Sequence, residues 1–146
     1  MTKPDIKSLD RPSLEKRLVE LGAERYRAGQ LWRRLFARPV RSFDEMVDLP
    51  AELRRRLKDA FHIDHVTALD EKHSAVDGTA KYLLKLEDGQ TIETVYLPER
   101  DRFTICLSSQ VGCKYACALC ASAPFGFRRN LTVGEILDQV IFIRAK

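Results

Sequence analysis

Cys113-Lys114-Tyr115-Ala116-Cys117-Ala118-Leu119-Cys120 packs three thiols into eight residues at the spacing CxxxCxxC. Thiolates are the soft ligands that hold zinc and iron–sulfur clusters. A closed zinc site needs a fourth protein ligand. Cys106, just upstream, completes the chain's four cysteines and could supply it. A four-iron cluster on three cysteines instead keeps one iron open to a bound ligand, whereas an electron carrier is usually held by four. A disulfide framework does not suit so long a chain with so few cysteines. The three histidines, His62, His65 and His73, lie upstream of the triplet without ligand spacing.

Outward from the triplet, Phe103 to Ser108 reads as a short apolar strand. On the other side, Thr132-Val133-Gly134-Glu135 has the form of a capping box, opening a helix through Ile136, Val140 and Ile143. Strand, ligand loop and helix predict the first βα unit of a β/α barrel, where reactive groups sit on loops beyond the C-terminal strand ends. Upstream, Thr79 to Leu86 and Thr91 to Leu97 flank Glu87-Asp88-Gly89-Gln90, and Asp-Gly between two such runs is a hairpin signal. The residues before about His62 are helical in pattern. Leu14, Leu18 and Leu21 recur at helical spacing in Ser13 to Leu21, with Gly22 as a stop. Tyr26 to Phe36 repeats the pattern before Pro39, and Asp48-Leu49-Pro50 opens a third helix with proline in its first turn and Leu53, Leu57 and Phe61 on one face. Trp32, Phe36, Phe43 and Phe61 read as core of this part rather than as a platform for stacked bases.

With both flanks included, the triplet resembles the radical S-adenosylmethionine (SAM) enzymes, and within them the RlmN/Cfr family of RNA adenine methyltransferases. The likeness rests on Cys106-Leu107-Ser108-Ser109-Gln110-Val111-Gly112-Cys113 before the loop and Gly126-Phe127-Arg128-Arg129-Asn130-Leu131-Thr132 after it. It implies Cys113, Cys117 and Cys120 as ligands of a 4Fe-4S cluster with SAM on the open iron. It implies Glu93 as the proton acceptor, and Cys106 as a resolving thiol that forms a transient disulfide with a methyl-carrying cysteine near the C-terminus of family members. The implied reaction is methylation of adenine C2 in 23S rRNA, with tRNA as a further substrate, through a methyl-cysteine intermediate. The implied partners are those RNAs and a reducing electron donor of flavodoxin or ferredoxin type. The implied site is cytoplasmic. Two alternatives stay open: a non-catalytic zinc-dependent RNA-binding module with Cys106 as fourth ligand, and C8 methylation within the same family. Leu119 stands where many radical-SAM loops carry an aromatic residue, and Ala121 to Phe125 departs from the commoner polar stretch; neither touches a ligand.

The expected fold class is therefore α+β, leading into the first βα unit of a truncated radical-SAM β/α barrel. Residues 1–63 form a helical accessory domain of RNA-binding type, 64–101 a β-rich connecting segment, and 102–146 the incomplete start of the barrel with the cluster loop. One βα unit cannot close a barrel. The chain is accordingly read as the N-terminal fragment of a longer enzyme, inactive alone and lacking the methyl-carrying cysteine. Charge suits an RNA partner without requiring one: Lys and Arg against Asp and Glu run 15 to 10 over residues 1–63, 5 to 9 over 64–105, and 5 to 2 over 106–146. No apolar run approaches the ~20 residues that span a bilayer. No apolar stretch follows Met1, so a secretory signal is not expected.

Overall fold

In the computed structural model, residues 3–115, 117–119 and 126–146 are described. The chain divides into two compact units, residues 1–64 and 65–146. In the first, α1 (Arg11–Glu20), α2 (Arg27–Trp32) and α3 (Ala51–Ala60) enclose a hydrophobic core. Helix α1 begins earlier than the leucine spacing indicates because Asp10 caps it, its carboxylate accepting the Ser13 N–H at 2.9 Å, with Pro12 in the first turn. It stops where Gly22 turns left-handed at φ 75°, and the Ala23 N–H reaches back to the Leu18 carbonyl at 2.9 Å. The stretch Tyr26 to Phe36 is not one regular helix. After Trp32 the backbone widens into a π turn over Arg33–Ala37, which keeps Leu35 buried. Phe43 and Phe61 are buried, whereas Trp32 and Phe36 are half-buried with ring centroids 4.5 Å apart. Asp5 and His62 form a parallel bridge that ties the two ends of this unit together, and the Asp5 carboxylate accepts the N–H groups of Lys7 and Asp64 at 3.2 and 3.3 Å.

The second unit is built on an antiparallel sheet in the order β1 (Thr67–His73), β2 (Ala80–Lys85), β3 (Thr91–Pro98), β4 (Phe103–Cys106). Between β2 and β3 the chain turns at Asp88-Gly89. Gly89 sits at φ 83°, its N–H donates to Leu86 O at 3.0 Å, and the Leu86 N–H donates to Gln90 O at 2.9 Å. This is a three-residue hairpin loop with a left-handed glycine. Helix α4 (Val133–Arg144) lies on one face of the sheet, where Ala80, Tyr82, Leu84 and Ile92 pack with Val111, Leu131 and Ile143. The capping box is formed: Thr132 accepts the Glu135 N–H at 3.2 Å and the Glu135 carboxylate accepts the Thr132 N–H at 2.8 Å.

The segment around the cysteines departs from a plain strand, loop and helix. β4 pairs with β3 and ends at Cys106, and the chain then forms a second short strand, β5 (Gln110–Gly112), paired antiparallel with β6 (Phe127–Asn130). In sequence, the cysteine-bearing stretch therefore follows β5 and precedes β6, and does not follow β4 directly. The cause is a backbone close approach at Gly112 and Gly126, which pairs residues that read as loop flanks in the sequence. All strand pairs among the described residues are antiparallel, so the fold shown is α+β, without the parallel pairing of a barrel. No helix among the described residues is long and apolar enough to cross a membrane.

Candidate active site

Register decides which side chains share a face. Val95 pairs with Lys81 on one side and Cys106 on the other, and Glu93, two residues before Val95, pairs with Leu83. Residues directly opposite in an antiparallel pair, and residues two apart along a strand, point to the same side. Lys81, Glu93 and Cys106 therefore stand together on the face opposite α4, all exposed. Diagonal neighbours such as Glu93 and Cys106 are about 7–8 Å apart in such a ladder. Lys81 Nζ lies 2.8 Å from Glu93 Oε1. That pairing raises the Lys81 pKa above its ordinary value, through the hydrogen bond Lys81 donates to Glu93 first and the Glu93 charge second.

The other face of the same strands anchors the approach to the loop. Gln139 of α4 is fully buried. Its Oε1 accepts from the Thr94 hydroxyl at 2.7 Å and the Ser108 N–H at 2.8 Å, and its Nε2 donates to the Ser108 carbonyl at 2.9 Å. The Ser108 hydroxyl donates to the Glu93 carbonyl at 2.7 Å. The segment between Cys106 and Cys113 is thus fastened both to the Glu93 strand and to the helix.

The base of the cysteine loop is closed by backbone. The Cys113 N–H donates to Gly126 O at 3.0 Å. Gly112 sits at φ +72°, and a Cβ there would lie 1.7 Å from Gly126 O, so no side chain fits. Arg129 of β6 braces this closure with a bidentate pair to Glu135 at 2.7 and 2.8 Å, and a second contact to Asp88 at 2.6 Å. Burial would push the Glu135 carboxyl up, but the Arg129 guanidinium and the Thr132 N–H together hold it below its usual value. Arg129 is correspondingly raised, chiefly by the hydrogen bonds it donates to Glu135.

Cys113 is half-buried, Cys117 exposed, and both are free thiols, as is Cys106. Cys120 lies outside the described residues. A pair of free thiols on a loop closed at its base suits soft-metal ligation, the donor chemistry that an iron–sulfur cluster calls for. Among the described residues, Cys106, Cys113 and Cys117 do not converge into one three-ligand group. Cys106 belongs instead with Glu93 and Lys81. Sequence reading missed Lys81, Gln139 and Arg129, because each acquires its role from a partner distant in sequence. A cavity of about 550 Å³ lined by His73, Tyr82, Tyr96, Phe103 and Lys146 borders the helix-bearing side and contains none of the candidate chemical groups.

Residues 4–63 match the family profile described as the ribosomal RNA large subunit methyltransferase N-terminal domain. A probable dual-specificity RNA methyltransferase RlmN of Thermotoga maritima is 45% identical over 137 residues, covering 94% of this chain and 40% of the relative. The dual-specificity RNA methyltransferase RlmN of Geobacter sulfurreducens is 45% identical over 140 residues, covering 96% and 39%. A crystal structure of a radical SAM methyltransferase from Sphaerobacter thermophilus superposes with a TM-score of 0.85 at 38% identity, over 97% of this chain and 42% of that one. The chain spans about two-fifths of the length of these relatives.

Proposed function

The chain belongs to the RlmN family of RNA methyltransferases, and from that premise we propose that the whole protein methylates C2 of an adenine in 23S rRNA, and in tRNA as well, in the cytoplasm. The observation that carries this reading is the register that brings Glu93 and Cys106 onto one exposed sheet face as diagonal neighbours. A base and a thiol side by side suit a reaction that must remove a proton and break a bond to sulfur.

Adenine C2 is electron-poor and aromatic, so direct displacement of a methyl group from a sulfonium is not open to it. Cys113, Cys117 and Cys120 would hold the 4Fe-4S cluster. When bound, the cluster and SAM supply the one-electron chemistry that such a carbon requires, fed by a flavodoxin- or ferredoxin-type donor. Glu93 accepts the proton lost from the methylated carbon, a carboxylate being one of the side chains that serve as general base when within hydrogen-bond reach. The Cys106 thiolate attacks the sulfur of the methyl-carrying cysteine to which the base is joined. A transient disulfide forms, the sulfur–carbon bond breaks with its electron pair going to carbon, and protonation there leaves the methyl group. The residues of this chain thus supply the base, the resolving thiol and the cluster ligands, within the barrel architecture proposed for the complete protein.

Anaerobic reconstitution of this chain with iron and sulfide tests the reading. About four irons per chain are expected from Cys₃ ligation, lost in Cys113→Ala, Cys117→Ala or Cys120→Ala and retained in Cys106→Ala. One tightly bound zinc per chain, lost in Cys106→Ala, would establish the zinc-module alternative. Mass mapping of adenosine modified by the complete protein separates C2 from C8.

A further inference from the structure

Nothing in the CxxxCxxC loop or its flanks points to Lys81, which lies in a strand 32 residues before Cys113. Its position follows from the ladder alone. Lys81 is opposite Val95, Val95 is opposite Cys106, and the Lys81 ammonium reaches diagonally to Glu93 Oε1 at 2.8 Å. Lys81, Glu93 and Cys106 therefore occupy one patch spanning three adjacent strands. We propose that Lys81 is a positioning residue for the Glu93 carboxylate, fixing one of its oxygens so that the other is presented to the substrate proton beside Cys106. This deepens the methyltransferase reading and rests on it.

The physical need comes from the exposure of Glu93. With its side chain about half exposed, a glutamate on an open strand samples several rotamers in water, and burial does not select among them. Proton transfer demands hydrogen-bond reach of the reacting atom, and small displacements of a catalytic group cost large factors in rate. A charged partner bound to one oxygen narrows that distribution. Among the described residues, Oε1 is the Glu93 carboxylate oxygen with a protein hydrogen bond, which leaves Oε2 for substrate. Lys81 remains an ammonium across the physiological range, because the Glu93 hydrogen bond and charge raise its pKa further. It is therefore a constant donor, not a competing base.

Other charges share this face and set the control. Register places Asp70 and Lys72 of β1, and Lys85 of β2, on the same side as Lys81. If the patch served only to attract RNA phosphates, Lys81 and Lys85 would act alike, through affinity and with a common salt dependence. A positioning role belongs to Lys81 alone.

The experiment uses the complete, cofactor-loaded protein and an adenine-containing RNA substrate, measuring kcat and KM for methylation in parallel with RNA binding at several salt concentrations. Lys81→Met is expected to lower kcat by about tenfold to a hundredfold with KM and RNA affinity near wild type. Lys81→Arg, which keeps the charge and the donor, is expected to recover most of kcat, and Lys85→Met to leave it unchanged. Circular dichroism melting of each variant excludes misfolding, and Lys81→Gln, which stays polar in the ladder, gives a second reading if Lys81→Met melts early. A rise in KM shared by Lys81→Met and Lys85→Met, with kcat preserved, would assign the face to RNA phosphates and overturn the proposal. Unchanged kcat and KM in Lys81→Met would overturn it equally. A wild-type protein that reconstitutes its cluster but methylates no adenine would instead refute the methyltransferase reading, and the Lys81 role with it.

Discussion

Gln139→Leu removes the polar centre between α4 and the sheet while nearly preserving volume. In the folded chain Gln139 is fully buried and accepts from the Thr94 hydroxyl and the Ser108 N–H while donating to the Ser108 carbonyl. Leucine offers none of these partners. Thr94 is itself fully buried, so its hydroxyl has no water to turn to; the Ser108 groups are only part-buried and recover some hydration. With the orphaned Thr94 hydroxyl costing ~1–3 kcal/mol and the two part-buried Ser108 groups roughly 0.5 kcal/mol each, the expected loss is about 2–4 kcal/mol. Trp32, the only tryptophan in the chain, lies in the first unit. Its fluorescence follows that unit, while the amide circular dichroism follows both, so urea unfolding recorded by the two probes assigns the loss. The dichroism transition of the second unit should move to lower urea with the Trp32 transition unchanged. A double-mutant cycle with Thr94→Val should show the two changes to be sub-additive by about 1 kcal/mol, because they delete the same hydrogen bond. A loss below ~1 kcal/mol, strict additivity, or an equal shift of the Trp32 signal would refute the reasoning.

Arg129→Met should cost about 1–3 kcal/mol at neutral pH, less than a fully buried pair because Arg129 is one-third exposed. The folded-state pKa of Glu135 is depressed, as is that of Asp88, so their contribution is present above the ordinary carboxylate pKa of about 4.3 and 3.9 and is lost as pH falls through their lowered folded values. Urea melts of wild type and variant should consequently converge as the pH is lowered below that range; a constant difference at all pH values would remove the electrostatic explanation. Gly112→Ala and Gly126→Ala form a matched comparison. Both glycines have positive φ, costing ~1–2 kcal/mol for any other residue, but among the described residues only at Gly112 would the new methyl strike backbone, at Gly126 O. Gly112→Ala should therefore be the more damaging in thermal melting and should also lower iron uptake, and equal effects would contradict the close-approach argument.

Much of the local structure was legible because its causes are local. Asp88-Gly89 specifies the hairpin through the left-handed glycine, Thr132 and Glu135 specify the start of α4, and the leucine spacing specifies α1 and α3. The errors arose where a distant backbone intervenes. The β5 and β6 pairing depends on Gly112 meeting Gly126 across the ligand loop, and the π turn after Trp32 depends on keeping Leu35 in the core. α4 presents a related difficulty: its buried face includes Glu135, Asp138 and Gln139 along with Ile143. A reading that assigns polar residues to solvent places those side chains on the wrong side.

By itself, the sequence determined the chemistry available: three closely spaced thiols, a fourth upstream, a glutamate in a strand, and the family to which the chain belongs. Ligand identity and spacing are properties of a short stretch of chain and survive any fold that leaves the loop intact. Tertiary structure alone decided which groups meet. That Glu93 stands with Cys106 and Lys81, that Gln139 fastens Ser108 to α4, and that Arg129 joins the hairpin tip to the helix N-terminus are consequences of strand register and helix docking. A one-residue slip in that register would send alternate side chains to the opposite face. The composition would be unchanged, and the patch of carboxylate, thiol and ammonium would no longer exist.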